Sequence, residues 1–191
     1  MAASRSLFRR MVRAAKLEVS LYEEVEADSS ATVQAFVAVI LVSLASGIGA
    51  AINALLDGGG IIRVLWGLLT GIIGLLIAWA LWSLITWIIG STIFKGRQTS
   101  ATWGELLRTI GFAFAPGMLL LFIFIPWLDW ILNVVVIIWT VVAVVIAVRQ
   151  ALDFSTWRAV GTCIVGVIIY VVISLIINAL PAVIGGGRLL Y

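Results

Sequence analysis

The chain has 191 residues, of which 63% are hydrophobic and only 11% are charged, and its formal net charge is +3. A soluble domain carries about a quarter charged residues, and one of this length could not hide so much apolar surface in a single core. The absence of histidine and the single cysteine exclude Ser-His and Cys-His nucleophile pairs, histidine-ligated metals and an internal disulfide. The composition therefore predicts a membrane protein without a cofactor or metal site.

Residues 1–28, the arm, form the only sizeable segment outside the predicted membrane spans. On a helical wheel their apolar side chains share one side, whereas Arg9, Arg10, Arg13 and Lys16 lie largely on the other. A basic amphipathic helix of this kind is typical of a segment that lies among anionic lipid headgroups. The alternative is a short helix packed against the rest of the protein. Because the other cations are scattered among the span ends, we expect the partner to be the bilayer and its anionic headgroups, not nucleic acid.

Five long apolar stretches follow the arm, and each is long enough, or nearly so, to cross about 30 Å of hydrocarbon as a helix. None alternates polar and apolar residues as a membrane β-strand would. The predicted fold class is all-α: a polytopic membrane protein with a bundle of five transmembrane helices and an N-terminal amphipathic helix. The predicted divisions are a cytoplasmic arm (1–28), a five-helix domain (29–184, with spans at about 31–55, 64–90, 106–125, 130–148 and 159–180) and a short external tail (185–191).

The second span is longer than one crossing requires. Its uncharged stretch of 31 residues would be about 46 Å long, so we expect tilt, a kink near Gly71 or Gly74, or an extension into the interface. The third span is preceded by Thr102 and Glu105, which have the spacing of a helix capping box. This pair predicts where the third span begins.

The third span also contains a helix breaker. Pro116 cannot donate a backbone hydrogen bond and lies near Gly111 and Gly117, so the helix should kink there. In lipid, the freed carbonyl must find another partner. Two interpretations stay open: a kink that serves packing, and a break that binds a ligand.

The basic residues are distributed unevenly across the predicted topology. Ten fall on one side and two on the other, so the positive-inside rule places the N-terminus in the cytoplasm and the C-terminus outside. Near the inner span ends lie Glu105, Arg108, Arg149, Asp153 and Arg158. We expect these five either to anchor the helix ends or to form an ion-pair cluster that binds a lipid phosphate. The inner basic residues are Arg5, Arg9, Arg10, Arg13, Lys16, Lys95, Arg97, Arg108, Arg149 and Arg158, and the outer ones are Arg63 and Arg188.

Three segments resemble the YIP (Ypt-interacting protein) domain family, especially its bacterial branch. They are Leu21–Asp28, Arg108–Pro116, and Trp139 followed by Ala147–Ser155. The resemblance covers about residues 21–180 and implies five membrane helices, a cytosolic N-terminus and, for a bacterial member, a place in the cytoplasmic membrane. Eukaryotic members are tied to Rab-type GTPases and membrane trafficking. This chain lacks their long cytosolic N-terminal region and their acidic-Leu-Tyr-Gly-Pro motif, so the resemblance does not extend to GTPase binding.

These observations favour a protein without catalytic chemistry. No predicted span carries a carboxylate at mid-membrane, and no soluble catalytic domain is evident. We expect a non-enzymatic scaffold that organises the membrane, or holds a partner membrane protein or a second copy as a homo-oligomer. The alternative is a small-molecule or lipid permease that uses the broken third helix. An enzyme that depends on Glu105 or Asp153 ranks third.

Overall fold

The computed structural model describes residues 6–96, 99 and 101–186, with the backbone alone at residue 174 and over 177–186. Arg5, Arg97, Arg188 and residues 187–191 of the predicted tail lie outside the described residues. The described part contains helices and no strand, which confirms the all-α fold class. The elements are α1 (Leu7–Ala15), α2 (Val19–Ala27), α3 (Ala31–Leu56), α4 (Ile61–Thr92), α5 (Trp103–Ala113), a 3₁₀ helix (Ala115–Phe122), α6 (Asp129–Ala151) and α7 (Thr156–Gly186).

Five segments of this chain are long and apolar enough to cross a membrane, with α5 and the 3₁₀ helix together forming one of them. Their outer faces carry large exposed apolar side chains, such as Trp66 on α4, Ile137 on α6 and Ile168 on α7. Contiguous apolar surface of this kind is costly in water but suits lipid. The predicted five-helix membrane bundle is therefore confirmed.

The third span lies at the centre of the bundle and is the most buried of the five. It packs against α3, α4, α6 and both helices of the arm. Glycines allow this close approach: a Cβ atom at Gly111 would lie 2.8 Å from the Cβ of Ala35, and one at Gly117 would lie 2.6 Å from Cγ1 of Val42. Small residues at helix contacts are the usual means by which membrane helices pack closely.

The third span is not the single kinked α-helix predicted over 106–125. The α-helix ends at Ala113, and the chain continues as a 3₁₀ helix from Ala115. Pro116 lies in the first turn of the 3₁₀ helix, where its missing N–H removes no helical hydrogen bond, and the Phe114 carbonyl accepts from the Gly117 amide at 2.8 Å. The two pieces together are roughly 32 Å long at 1.5 and 2.0 Å per residue, which still suffices for one crossing.

The fourth helix, by contrast, shows no break at its glycines. α4 is one continuous α-helix of 32 residues through Gly71 and Gly74, and a Cβ atom added at either would meet nothing within 4 Å. At 1.5 Å per residue it is about 48 Å long, well beyond the hydrocarbon thickness. Of the three predicted accommodations, tilt or an interfacial extension fits this uninterrupted helix.

The arm packs on the bundle through one side of each of its helices. Leu21, Tyr22 and Val25 of α2 and Ala14 of α1 are completely buried, and Met11 of α1 is nearly so. The chain turns between the two helices at a residue with positive φ, and α2 then lies against α5 and α6. The sequence left two interpretations of the arm open, a helix among lipid headgroups and a helix packed against the protein. The buried inner side of the arm corresponds to the second.

Candidate functional site

The charged end of the bundle is the end at which α3, α5 and α7 begin and α4 and α6 finish. Helix α2 of the arm packs against α5 and α6, and its residues are tied to the ends of two spans. At the end of α6, Gln150 donates from Nε2 to Oε1 of Glu23 at 2.9 Å. At the start of α5, Arg108 reaches the last turn of α2. The arm is therefore a structured platform on this end of the protein.

Arg10 fixes the arm to the start of the first span. Its side chain is only 1% exposed, and its guanidinium donates to Glu24, to Asp28 (2.7 Å) and to Gln34 of α3 (2.9 Å). Both Nε and Nη2 contact Oε1 of Glu24, at 3.0 and 2.9 Å. Charge-assisted bonds of this kind are the strong class of protein hydrogen bonds. The structure therefore places Arg10 inside the protein rather than on the exposed side of α1.

Arg13 also pairs with arm carboxylates. It donates to Glu18 at 2.8 Å and to Glu24 at 2.6 Å, and these hydrogen bonds raise the pKa of Arg13. Burial opposes ionisation of Glu24, but hydrogen bonds from Arg13 and Arg10 outweigh it and lower the pKa of Glu24. Hydrogen bonds from Ser30 and from Arg10 hold the pKa of Asp28 at about 2. Glu24 and Asp28 are therefore fully charged near neutral pH.

The other two cations in the described part of the arm are unpaired. Arg9 and Lys16 are exposed, and neither makes an ion pair or a hydrogen bond with another described side chain. Phe8 (78% exposed) and Val12 (37% exposed) lie on the same outward side of α1. The outward side of α1 is thus itself amphipathic, with two apolar and two cationic side chains. This side keeps the predicted interaction with lipid headgroups available.

Arg108 holds the end of α2. It is 9% exposed, its Nε donates to the Val25 carbonyl at 2.9 Å, and its Nη2 donates to the carbonyl of Glu26. The last carbonyls of a helix have no partner within the helix and carry a partial negative charge. Helix α2 has no basic residue of its own in its last turn. Arg108 supplies the missing partner from another helix, so its role here is to anchor the arm.

The other four residues of the predicted cluster also lie near the charged end, but they do not pair with one another. They are Glu105, Arg149, Asp153 and Arg158. Glu105 accepts from the Thr102 amide at 2.8 Å and its own amide donates to Thr102 Oγ1, which confirms the capping box. Arg149 donates to the adjacent Gln150 at 2.9 Å. No ion pair joins Glu105, Arg108, Arg149, Asp153 and Arg158, all of which the structure describes.

Glu26, which was not among the predicted site residues, lies near Glu105, Arg108 and Asp153. Burial, followed by the negative charges of Asp153 and Glu105, raises the pKa of Glu26 to about 7. Glu23 adds to this effect and the guanidinium of Arg108 opposes it. Within the described ranges, no group of His, Cys, Asp and Glu is arranged to hold a metal ion. Because Glu26 is 82 positions from Arg108, no local sequence pattern connects the two.

The broken third span borders an apolar groove of about 290 Å³ alongside α1, here called the arm groove. Pro116 and Ala115 line one wall and Leu41 of α3 lines another. Trp139 of α6 also lines the groove, and its Nε1 donates to the Ala15 carbonyl at 2.8 Å. The other lining residues are Phe8, Met11, Val12, Ala15, Met118 and Leu119. The predicted helix-break residues thus divide, since Gly111 and Gly117 pack against α3 whereas Pro116 faces this groove.

A second groove, of about 350 Å³, lies among α4, α6 and α7 and is here called the side groove. It reaches Phe114 at the junction of α5 and the 3₁₀ helix, and Trp82, Val141 and Cys163 are among its lining residues. None of its described lining residues is charged. The break in the third span is therefore flanked by two apolar grooves. One of them, the arm groove, lies beside α1, which carries the unpaired cations.

Comparison with known proteins gives one match. A family model described as the Yip1 domain matches residues 19–177. The matched segment begins at the first residue of α2 and extends into α7, so it includes Arg108 and Glu26 but not α1. No curated protein and no solved structure matches this chain significantly.

Proposed function

The chain belongs to the Yip1 domain family of membrane proteins, and we propose that it acts as a non-enzymatic scaffold that organises the membrane around its arm. The observation that carries this proposal is the fixed arm. Its inner side is tied to the bundle through Arg10 and Arg108, whereas its outer side leaves Arg9 and Lys16 unpaired. Such an arm holds two cations at a constant position relative to five membrane spans.

The charge distribution supports an arm that meets anionic lipid. Of the described basic residues, Arg63 lies at the opposite end of the bundle, and Lys16 follows Ala15 at the level of Trp139. The others lie at or near the charged end. The positive-inside rule favours a cytoplasmic position for this end, and the resemblance to the bacterial branch favours a bacterial cytoplasmic membrane. A cation close to an anionic leaflet contributes about 1 kcal/mol of binding free energy. We infer that anionic headgroups are the first partner of the scaffold, and that a partner membrane protein or a second copy would dock beside them.

Lipid composition around the protein tests this proposal. The full chain is excised from native membrane in copolymer particles, and its co-excised phospholipids are quantified against the bulk membrane. We expect the anionic fraction to be enriched, and the enrichment to fall at least twofold in the double variant Arg9→Gln, Lys16→Gln. Arg63→Gln is the matched control, because Arg63 is also exposed but lies at the opposite end. An anionic fraction equal to the bulk value for the unmodified chain would refute the proposal.

A second candidate function, a lipid permease, is favoured by the two grooves beside the break in the third span. Their linings are almost entirely apolar, which suits an acyl chain and offers a polar solute little to bind beyond the Thr140 side chain of the side groove. Proteoliposomes containing fluorescent phospholipid distinguish the two candidates, because a membrane-impermeant quencher reports movement between leaflets. A scaffold leaves the rate at the protein-free value, whereas a permease raises it and loses that gain when Pro116 is replaced by Ala.

A further inference from the structure

The arm groove lies next to the only described arm cations that lack a partner. Val12 forms part of the groove wall, and Arg9 and Lys16 are three residues before it and four residues after it. Residues with this spacing lie on the same side of a helix. The other two arginines of α1, Arg10 and Arg13, are already held by carboxylates. An anion with an apolar tail would therefore meet both kinds of surface on one side of α1.

The depth of the groove matches an acyl chain rather than a water-soluble ligand. Leu41 lies ten residues inside α3, about 15 Å from its first residue, and Trp139 lies about 18 Å from the last residue of α6. Both positions are well below the charged end of the bundle. Arg10, on the same short helix as Arg9, binds Gln34 close to the start of α3. Helix α1 thus connects the level of the headgroups with the level of the hydrocarbon.

We propose that the arm groove binds one acyl chain of an anionic phospholipid, and that Arg9, near the headgroup level, holds its phosphate while Lys16 extends towards the phosphate from the lower end of α1. This inference rests on the proposed function, in which the arm meets anionic lipid, and it adds a discrete site with a defined chain pocket. The occupant follows from charge complementarity, since an apolar chain fills the groove and a phosphate neutralises the two unpaired cations. The side groove provides the contrast. It is of similar size, and neither groove has a charged residue in its described lining. Only the arm groove, however, has a lining residue, Val12, that is flanked on the same side of its helix by two exposed cations without partners, so the side groove would admit a lipid chain without selection by headgroup.

Native mass spectrometry of the full chain, released from detergent with added dioleoyl lipids, tests the site. We expect phosphatidylglycerol to be retained about tenfold better than phosphatidylcholine. Leu119→Trp should fill the arm groove and lower phosphatidylglycerol retention at least fivefold although both cations remain. Val141→Trp is the matched control, because it fills the side groove with the same side chain and should leave retention unchanged. Inorganic phosphate at millimolar concentration should not displace the lipid, because it supplies no chain.

A second measurement covers the case in which Leu119→Trp fails to fold. A phosphatidylglycerol with a photoreactive group in its acyl chain is cross-linked to the unmodified protein, and the modified peptides are mapped. We expect labelling at Leu41 or Met118 of the arm groove in excess of labelling at Val141. Equal labelling of both grooves, or full retention by a folded Leu119→Trp variant, overturns the site. If either result is obtained while anionic lipid is still enriched around the excised protein, the scaffold proposal holds and only the acyl-chain site is wrong. If that enrichment is absent as well, both proposals are wrong.

Discussion

The guanidinium of Arg108 lies 2.9 Å from the backbone carbonyl of Val25, a residue 83 positions earlier in the chain. This hydrogen bond connects the central span of the bundle with the end of the arm's second helix. Because the same guanidinium also binds the carbonyl of Glu26, it holds α2 by the helix terminus rather than by a side chain. The position of the arm therefore depends directly on the third span.

Replacing Arg108 should release the arm. Arg108→Ala leaves two carbonyls at the end of α2 without a partner, which should lower the free energy of unfolding by about 1–3 kcal/mol. Arg108→Lys should recover only part of this loss, because an ammonium lacks the planar fork of donors. Limited trypsin digestion of the detergent-solubilised protein at Lys16 is the measurement. Arg158→Ala is the control, since Arg158 is exposed at the same end and makes no ion pair or side-chain hydrogen bond with the arm among the described residues. Equal cleavage rates for the two alanine variants would contradict the role of Arg108.

Arg9 and Arg10 are adjacent in the chain, but replacing each with Gln should affect different properties of the protein. Arg10→Gln removes a buried guanidinium from Glu24, Asp28 and Gln34, so we expect thermal stability in detergent to fall by about 1–3 kcal/mol. Arg9→Gln should leave stability unchanged, because Arg9 is exposed and unpaired among the described residues. It should instead reduce binding to anionic lipid. If Arg9→Gln proved as destabilising as Arg10→Gln, this division of roles would be wrong.

Docking of the arm should weaken as the pH rises towards neutrality. The pKa of Glu26 is raised from its ordinary value of 4.5 to about 7, chiefly by burial and then by the charges of Asp153 and Glu105. The folded protein therefore holds a proton that the unfolded chain releases, and stability falls with rising pH between about 4.5 and 7. The protein should melt at a higher temperature at pH 5 than at pH 7.5, and Glu26→Gln should flatten that slope.

Asp28 provides the internal control for this titration. Its pKa is lowered from 3.8 to about 2 by hydrogen bonds from Ser30 and Arg10, so its contribution is complete above pH 4 and is lost in stronger acid. The two groups thus act in opposite directions and in separate pH ranges. Glu26→Gln should keep the loss of stability below pH 4. An unchanged slope between pH 5 and 7.5 in this variant would rule out Glu26 as its source.

Two glycines distinguish the packed side of the bundle from its open side. A Cβ atom at Gly49 of α3 would collide with the Leu120 carbonyl oxygen and lie 2.8 Å from Ile123, so Gly49→Ala should cost about 1–3 kcal/mol of stability. A Cβ atom at Gly71 would meet nothing within 4 Å, and Gly71→Ala should be neutral or slightly stabilising because alanine favours the helix. Thermal unfolding in one detergent compares them. Equal melting temperatures would contradict the tight contact at Gly49.

The fold was predictable from the sequence where local physics determines it. Five crossings follow from stretches of apolar residues whose lengths match the bilayer, and Thr102 with Glu105 form the predicted capping box. The change from α-helix to 3₁₀ helix was not predictable in this way. Proline indicated a disturbance, but the conformation that follows depends on contacts with α3, such as Gly117 against Val42 and the 3.1 Å hydrogen bond from Asn53 to the Ile123 carbonyl.

The roles of the arm cations were predictable only in part. A helical wheel groups Arg9, Arg10, Arg13 and Lys16 as one basic face, and the structure divides them into two paired and two unpaired residues. The division arises because the carboxylates come from α2 and its flanking residues, and an amide comes from the next helix. A wheel drawn for one helix contains none of these partners. Glu26 was missed for the same reason.

The order of synthesis gives the hydrogen bonds at Val25 and Ala15 a further consequence. The arm leaves the ribosome first, but its anchors, Arg108 and Trp139, follow 83 and 124 positions later. At about 5–20 residues translated per second, this delay lasts roughly 4 to 25 s. During that interval the nascent arm has neither of these anchors and is exposed to chaperones, proteases and the membrane surface. Docking of the arm therefore reports that the third and fourth spans have been inserted.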